Sequence, residues 1–434
     1  MTTATNGDDL RALIRSGHRE IIVPDGVTLK TNVGPNDGWT DSGPLRIVGD
    51  GIIAWGTDGA NWPIHAHVPL LRWTSGKIEV EGVTLLPPII DTAWHIRPEI
   101  NPGATMWPFA WISPGVEITF RNVKSPDISR GNWLVFQQSP GAGVWPKSFV
   151  TFEDCDISNR FSISALYGAG VTTFKRNRFR NSFVDPQGVA HGITSYQSSE
   201  GELIAEDNII VDSARCGFRV EGKNSRGLGK GTILRNKFVK PLNLCIEVDY
   251  MGEWAIHGND FGAGPATAIT AKGRAGYLNL LRAEDNVFAC KKVFAVVREG
   301  LANEGPCFVR ATFADNFLAG CTQIYTGGVP GGVSFHRNWN GWMGNKSIDG
   351  RAYAAVVGEY VWVDGGSYVC DRLHSFVEPM KGVIRVQGSV IRGGFGAAVW
   401  NTGPVAEGFK WSPRLFEATT GREWYKPLYE EPVA

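Results

Sequence analysis

A short pattern of apolar and polar positions recurs along this chain. It reads apolar, two mostly polar residues, a small or amide residue, any residue, apolar. Clear copies are Phe152-Glu-Asp-Cys155-Asp-Ile157, Phe174-Lys-Arg-Asn177-Arg-Phe179, Ala205-Glu-Asp-Asn208-Ile-Ile210 and Ile233-Leu-Arg-Asn236-Lys-Phe238. The series continues at Ile256-His-Gly-Asn259-Asp-Phe261, Ala283-Glu-Asp-Asn286-Val-Phe288, Phe313-Ala-Asp-Asn316-Phe-Leu318 and Phe335-His-Arg-Asn338-Trp-Asn340. Weaker copies flank it at Val48–Gly51, Val80–Val83, Val363–Gly366 and Val386–Ser389. The amide column steps by 31, 28, 23, 27, 30 and 22 residues. That variation excludes helical repeats of fixed period, and the alternation of apolar positions over short segments predicts strands.

A second strand recurs within most units: Gly192-Ile-Thr-Ser-Tyr196, Gly217-Phe-Arg-Val-Glu221, Cys245-Ile-Glu-Val-Asp249, Ala268-Ile-Thr-Ala-Lys272 and Val293-Phe-Ala-Val-Val297. Two or three short strands per unit, joined by turns and loops of variable length, predict an all-β fold: a single-stranded right-handed parallel β-helix, a solenoid of about 12 coils. One coil cannot bury its apolar face alone, and stacking at a rise of about 4.8 Å does so. Equivalent residues then form ladders. The Asn column reads as structure, a stacked amide at a coil corner that bonds its neighbours above and below, aided by the tolerance of Asn for left-handed bends. The ladder Ile193, Phe218, Ile246, Ile269, Phe294 reads as core.

The start of the chain predicts a short amphipathic helix from Asp8 to Gly17, with Leu10, Leu13 and Ile14 on one face and Gly17 as C-cap. It leads into Glu20-Ile-Ile-Val-Pro-Asp-Gly26 and can cover the open end of the stack. The expected organisation is a helix cap and first strand over 1–26, the β-helix over 27–405 with long Trp-rich loops at 39–145, and a C-terminal cap or oligomer contact over 406–434.

The helix followed by IIVPDG, together with the repeated [FAI]-x-x-N-x-F steps, resembles the pectin-lyase-like superfamily of right-handed parallel β-helices, closest in character to phage-type tailspikes. The resemblance covers roughly residues 8–400. It implies the fold, and polysaccharide as the class of partner, since the superfamily holds pectate lyases, polygalacturonases, epimerases and trimeric phage spikes. Ala190-His191-Gly192-Ile193-Thr194 is similar to the G-H-G-I-S step of polygalacturonases. The paired aspartates and R-I-K of that family do not accompany it: the Asp-Asp pair, Asp8-Asp9, lies in the cap.

Composition narrows the function. The 434 residues carry 43 basic and 43 acidic side chains, so no net field draws nucleic acid or anionic lipid. No run of about eighteen apolar residues occurs, so no membrane insertion is expected. The opening residues MTTATNGDDLRAL show no secretory leader. Seven scattered Cys without CxxC spacing predict reduced, buried thiols and no zinc. No cofactor is expected. His65-Ala-His67 is a weak metal pair.

On the aligned second strands, one outward row reads Thr194, Arg219, Glu247, Thr270, and the next Tyr196, Glu221, Asp249, Lys272, with Arg298 one position beyond. Glu221, Glu247 and Asp249 are the candidate catalytic carboxylates. Glycosidic hydrolysis needs two carboxylates flanking the bond, and close carboxylates push one pKa up to supply the acid. β-Elimination needs a base and a cation that neutralises a uronate, a role open to Arg219 or Lys272. Arg219, Lys272, Arg298, Tyr196, His191, Trp107 and Trp111 are the candidate substrate-binding residues. An exposed mixed-charge ladder that serves solubility is the alternative reading of these rows. Nine of the 16 Trp fall between residues 39 and 145, where indole faces can stack on sugars or pack loops.

The expected function is a surface-polysaccharide-binding spike of a virus or virus-like particle, made in the bacterial cytoplasm, homotrimeric and attached to other particle proteins, with or without depolymerase activity. The alternatives are a stand-alone lyase or glycoside hydrolase, cytoplasmic or non-classically secreted, and a non-catalytic decoration or adhesin.

Overall fold

The computed structural model describes residues 1–33, 38–56, 69–88, 108–126, 134–137, 145–158, 162–166, 170–180, 193–198, 201–212, 216–221, 229–249, 252–273, 278–298, 308–319, 323–327, 333–342, 356–358, 361–364, 367–370, 377–379, 384–387, 390–393 and 423–425. The chain divides into two compact units, residues 1–220 and 221–434.

Each unit is a parallel β-helical stack with three strand rows. In the first unit, the first row runs Glu20–Ile22, Leu45–Val48, Lys77–Glu81, Glu117–Arg121, Ser148–Glu153, Gly170–Lys175 and Glu202–Glu206, each parallel to the next. A short second row follows each corner, as in Asp156–Ser158 beside Arg178–Arg180 and then Ile209–Val211. The third row runs Leu71–Trp73, Ala110–Ile112, Val135–Gln137, Ser162–Leu166 and Ile193–Ser198. In the second unit, the first row runs from Gly229–Leu234 through Gly252–His257, Leu278–Glu284, Phe308–Ala314, Val333–His336 and Val361–Asp364 to Ile384–Gln387. There the second and third strands of a coil merge in Asp260–Gly273 and in Val287–Arg298. Glu423–Tyr425 lies antiparallel on Val390–Gly393.

In-register stacking builds the cores. Phe120, Phe152 and Phe174 face one another across three coils at 4.7 and 5.3 Å. Phe238, Phe261 and Phe288 do so in the second unit at 5.0 and 4.8 Å, with their ring planes nearly parallel. Gly231 sits under Trp254 in the register, and a Cβ there would stand 2.3 Å from the indole.

The Asn column is buried and bonded. Asn177 donates its N–H and its Nδ2 to Oδ1 of Asn208, both at 2.9 Å. Asn236, Asn259, Asn286, Asn316 and Asn338 repeat this from coil to coil in the second unit. Nδ2 of Asn177, Asn208, Asn259, Asn286, Asn316 and Asn338 also reaches a carbonyl of the preceding coil, as Asn259 reaches Ile233 at 2.9 Å. The left-handed bend belongs to the residue before, not to the Asn: Arg176, Asp207, Arg235, Asp285, Asp315 and Arg337 have φ of 47 to 56°. The Asn must aim both its N–H and its side chain along the stack, and the bend that turns it there is made one residue earlier. Outside the corner, Arg176 forks onto Asp154 at 2.8 Å and Arg337 onto Asp315. These bonds hold both carboxyls below the usual aspartate range.

The N-terminal helix spans Leu10–Arg15, shorter than the sequence predicts, because Asp9 is its N-cap and accepts the Ala12 N–H at 2.8 Å. Leu10 and Ile14 are buried as expected, Leu13 is half-buried, and Arg11 takes the remaining buried place. Arg11 donates to the carbonyls of Leu70 and Pro69 and lies over the Trp39 ring at 4.9 Å. Thr2–Thr3 pairs with Glu20–Ile22 and occupies the edge of the first row.

Candidate functional site

The third row carries most of the residues that the sequence singles out. In the second unit its register is Ile246 beside Ile269 beside Phe294, and Phe294 packs on Phe313 at 4.9 Å, so this parity faces the core. The opposite parity holds Glu247, Thr270 and Ala295 in one ladder. Asp249 pairs in register with Lys272, and Arg298 pairs with Gly273, one position beyond Lys272. The strands therefore bring Asp249 and Lys272 together at backbone level, in the register expected from the sequence.

This outer face is not a solvated charge ladder. Glu247 is 1% exposed and Thr270 4%. In the first unit, Arg219 on Cys216–Glu221 is 7% exposed. Burying a carboxylate costs several kcal/mol unless partners offset it, so Glu247 is not there for solubility. Glu221 ends the strand Cys216–Glu221 and belongs to the second unit. His191, Trp107 and the His65-Ala-His67 pair lie outside the described residues.

The first unit has its own outer ladder on the same row. Arg72, Trp111, Phe136, Ala165 and Tyr196 follow one another in register. Their neighbours Leu71, Trp73, Ala110, Ile112 and Val135 are buried in the core, and Phe136 of the ladder itself is only 5% exposed. The Arg72 guanidinium lies 5.2 Å over the Trp111 ring, and Trp111 meets Phe136 edge to face at 4.8 Å. Two predicted substrate-binding residues, Trp111 and Tyr196, thus share one line with two residues that sequence reasoning missed, Arg72 and Phe136. Aligning the short segments Leu71-Arg72-Trp73, Ala110-Trp111-Ile112 and Val135-Phe136-Gln137 would have found them. Their strands are three residues long and widely separated in sequence, so the repeat is faint there.

Inside the same coils Gln137 donates to Ser148 Oγ at 2.7 Å, a polar bond between two fully buried side chains. Cys155, Cys216, Cys245 and Cys290 are buried thiols, and burial pushes Cys155 up to about 12. Among the described residues no three His, Cys, Asp or Glu side chains group to hold a metal, and no helix is long and apolar enough to cross a membrane.

No family model matches the chain, and no curated protein sequence matches it. Among solved structures it is similar to the A-module of the Azotobacter vinelandii mannuronan C-5 epimerase AlgE4, at 9% identity over 93% of this chain and 97% of that one, with a TM-score of 0.36. It is similar to the A-module of the AlgE6 epimerase from the same organism, at 10% identity over 89% and 96%, with a TM-score of 0.37. It is also similar to the Dettilon tailspike protein, at 11% identity over 88% of this chain and 66% of that one, with a TM-score of 0.28. At such identities the likeness is one of fold alone, and the parallel β-helix rests on the chain's own strand registers.

Proposed function

We propose that this chain binds a polysaccharide along the outer face of its third strand row, as a glycan-recognising spike of a virus or virus-like particle. The observation that carries the reading is Trp111 on the third row, half-buried, with the Arg72 guanidinium 5.2 Å over its ring and the buried Phe136 edge to face against it, while Tyr196 follows in the same register. Aromatic faces take the C–H faces of sugars, and a rigid sheet holds them without an ordering cost on binding. The buried thiols fit synthesis in a reducing compartment before assembly on a particle. Side-by-side homotrimerisation and attachment to other particle proteins belong to the same reading. An apolar outer row in the second unit supports the first of these: Val287 and Phe317, 36% and 44% exposed, with Trp339 next in register.

A second reading, a lyase or glycoside hydrolase, is favoured by Glu247, a carboxylate held away from water beside the Asp249–Lys272 register. One experiment separates the two. The full chain is incubated with capsular and cell-wall polysaccharides, and retention, new reducing ends and absorbance at 235 nm are read. Retention without either chemical signal is the expected outcome for a binding spike. Reducing ends alone mean hydrolysis, and both signals mean elimination. Glu247→Gln, Glu221→Gln and Asp249→Asn then abolish cleavage with retention intact. Trp111→Ala loses retention by roughly 10-fold or more, as expected for an aromatic anchor. Full retention in that variant overturns the assignment of the ladder.

A further inference from the structure

We infer that Asp25 is a self-modification site, where the side-chain carboxyl condenses with the Gly26 amide and reopens as isoaspartate. The step needs no co-reactant but water, and it stands apart from the glycan-binding reading above.

The motif Ile21-Ile-Val-Pro-Asp-Gly26 closes in a turn. The Val27 N–H donates to the Pro24 carbonyl at 3.1 Å, and Gly26 has φ of 73°, as the third residue of a type II turn does. The Gly26 N–H then donates to Oδ1 of Asp25 at 2.9 Å. Both residues are exposed, and the Asp25 carboxylate meets no other partner among the described residues. The nitrogen that attacks in isoaspartate formation thus already lies beside the carboxyl it attacks, a near-attack arrangement. Gly26 has no Cβ to screen that nitrogen.

Comparable sites in the first unit are bonded against the same reaction. Asn6–Gly7 is the faster pair in a free chain, because an amide gives up ammonia more readily than a carboxylate gives up hydroxide. In the fold, Asn6 Oδ1 accepts the Thr28 N–H at 2.8 Å, while the Gly7 N–H donates to the Thr28 carbonyl at 3.1 Å. Separate bonds therefore hold the two reacting groups apart. At Asp50–Gly51 the Gly51 N–H is committed to the Val23 carbonyl at 2.9 Å. Asp41 touches the Ser42 N–H at 2.7 Å, but Arg19 holds its carboxylate at 2.9 Å, and Ser42 carries a Cβ. Asn6, Asp25 and Asp50 are all exposed, so bonding and not exposure selects Asp25.

In the first step the Gly26 nitrogen bonds to the Asp25 carboxyl carbon. The acid hydroxyl leaves with the amide proton as water, and a cyclic imide remains. Water then adds at the former main-chain carbonyl of Asp25, its bond to nitrogen breaks, and the nitrogen regains a proton. The backbone now runs through the side chain and is one methylene longer. The corner has little room for that: a Cβ on Gly49 or Gly51 of the next coil would strike the carbonyl oxygens of Val23 and Pro24. Thr28, just beyond the turn, holds both Asn6 and Gly7, so the longer backbone loosens the segment that leads into the cap helix.

The test ages the full chain for days in heavy-oxygen water at mildly acidic pH, with a second sample kept unfolded in urea. Peptide mapping reads the label, because each passage through the imide adds one heavy oxygen. A protein-isoaspartate methyltransferase reads the product. In the folded chain Asp25 takes up label roughly 10-fold or more faster than Asn6 or Asp50, and in urea Asn6 leads. Asp25→Glu, whose carboxyl stands one methylene further out, removes label from this turn with melting unchanged. The isoaspartate-bearing fraction exchanges the Gly7 and Thr28 amide hydrogens faster than fresh protein does. Asn6 ahead of Asp25 in the folded chain, or Asp25 no faster folded than in urea, overturns the inference. Unchanged exchange at Gly7 and Thr28 overturns the loosening of the cap.

Discussion

Asn259 uses every polar atom of its side chain. Its Oδ1 accepts from the N–H and Nδ2 of Asn236, at 2.8 and 3.0 Å, and its Nδ2 donates to Ile233 and to Oδ1 of Asn286. Asn259→Ala strands several buried groups at once. Each costs about 1–3 kcal/mol, so a loss of about 2–4 kcal/mol is expected from a denaturant midpoint. In the first unit the column ends at Asn177, and the next rung is Cys155. Its N–H already donates to Asn177 Oδ1, but its Sγ stands 3.6 Å from the Phe120 carbonyl, where Asn177 places an amide 2.9 Å from Phe152. Cys155→Asn extends the ladder by one rung and is expected to raise stability by about 1 kcal/mol in the same measurement. A neutral or negative result would show that the corner at Cys155 is shaped for sulfur.

At the level of strands, register is the organising quantity, because adjacent coils differ in length yet their first-row strands match residue for residue. Gly231 is where that match is tightest. Any side chain there meets the Trp254 indole, and Gly231→Ala is expected to cost about 1–3 kcal/mol by overpacking, seen as a lower melting temperature. How much of this was legible in the sequence follows from the same quantity. The Asn column and the ladder Ile246, Ile269, Phe294 were legible, since a residue that must meet its equivalent recurs at each coil. The outward parity of Glu247 was legible as well, but its burial was not, because burial depends on what covers the strand and no local pattern encodes that. Arg72 and Phe136 were missed because a three-residue strand offers too few alternating positions to declare a face. The left-handed corner residues Arg176, Asp207 and Asp315 were hidden for another reason: their conformation answers to the Asn that follows, not to their own preference.

For the whole molecule, the exposed pair Val287 and Phe317, in register with each other, bears on assembly. An apolar row along parallel strands repeats at the strand spacing, about 4.8 Å, so another copy standing alongside presents matching rungs. With no net charge, copies do not repel one another. Under the homotrimeric reading proposed above, Phe317→Asp is expected to weaken self-association about 10-fold or more, lowering the mass seen by light scattering toward that of one chain. An unchanged mass would place the contact elsewhere. The uneven step of the Asn column, from 22 to 31 residues, has a consequence of its own. Each coil returns to the same rung whatever detour it takes, so a segment between two rungs can be lengthened, trimmed or exchanged without disturbing the next. Such a scaffold can meet a changing target by rewriting its excursions while its spine stays as it was.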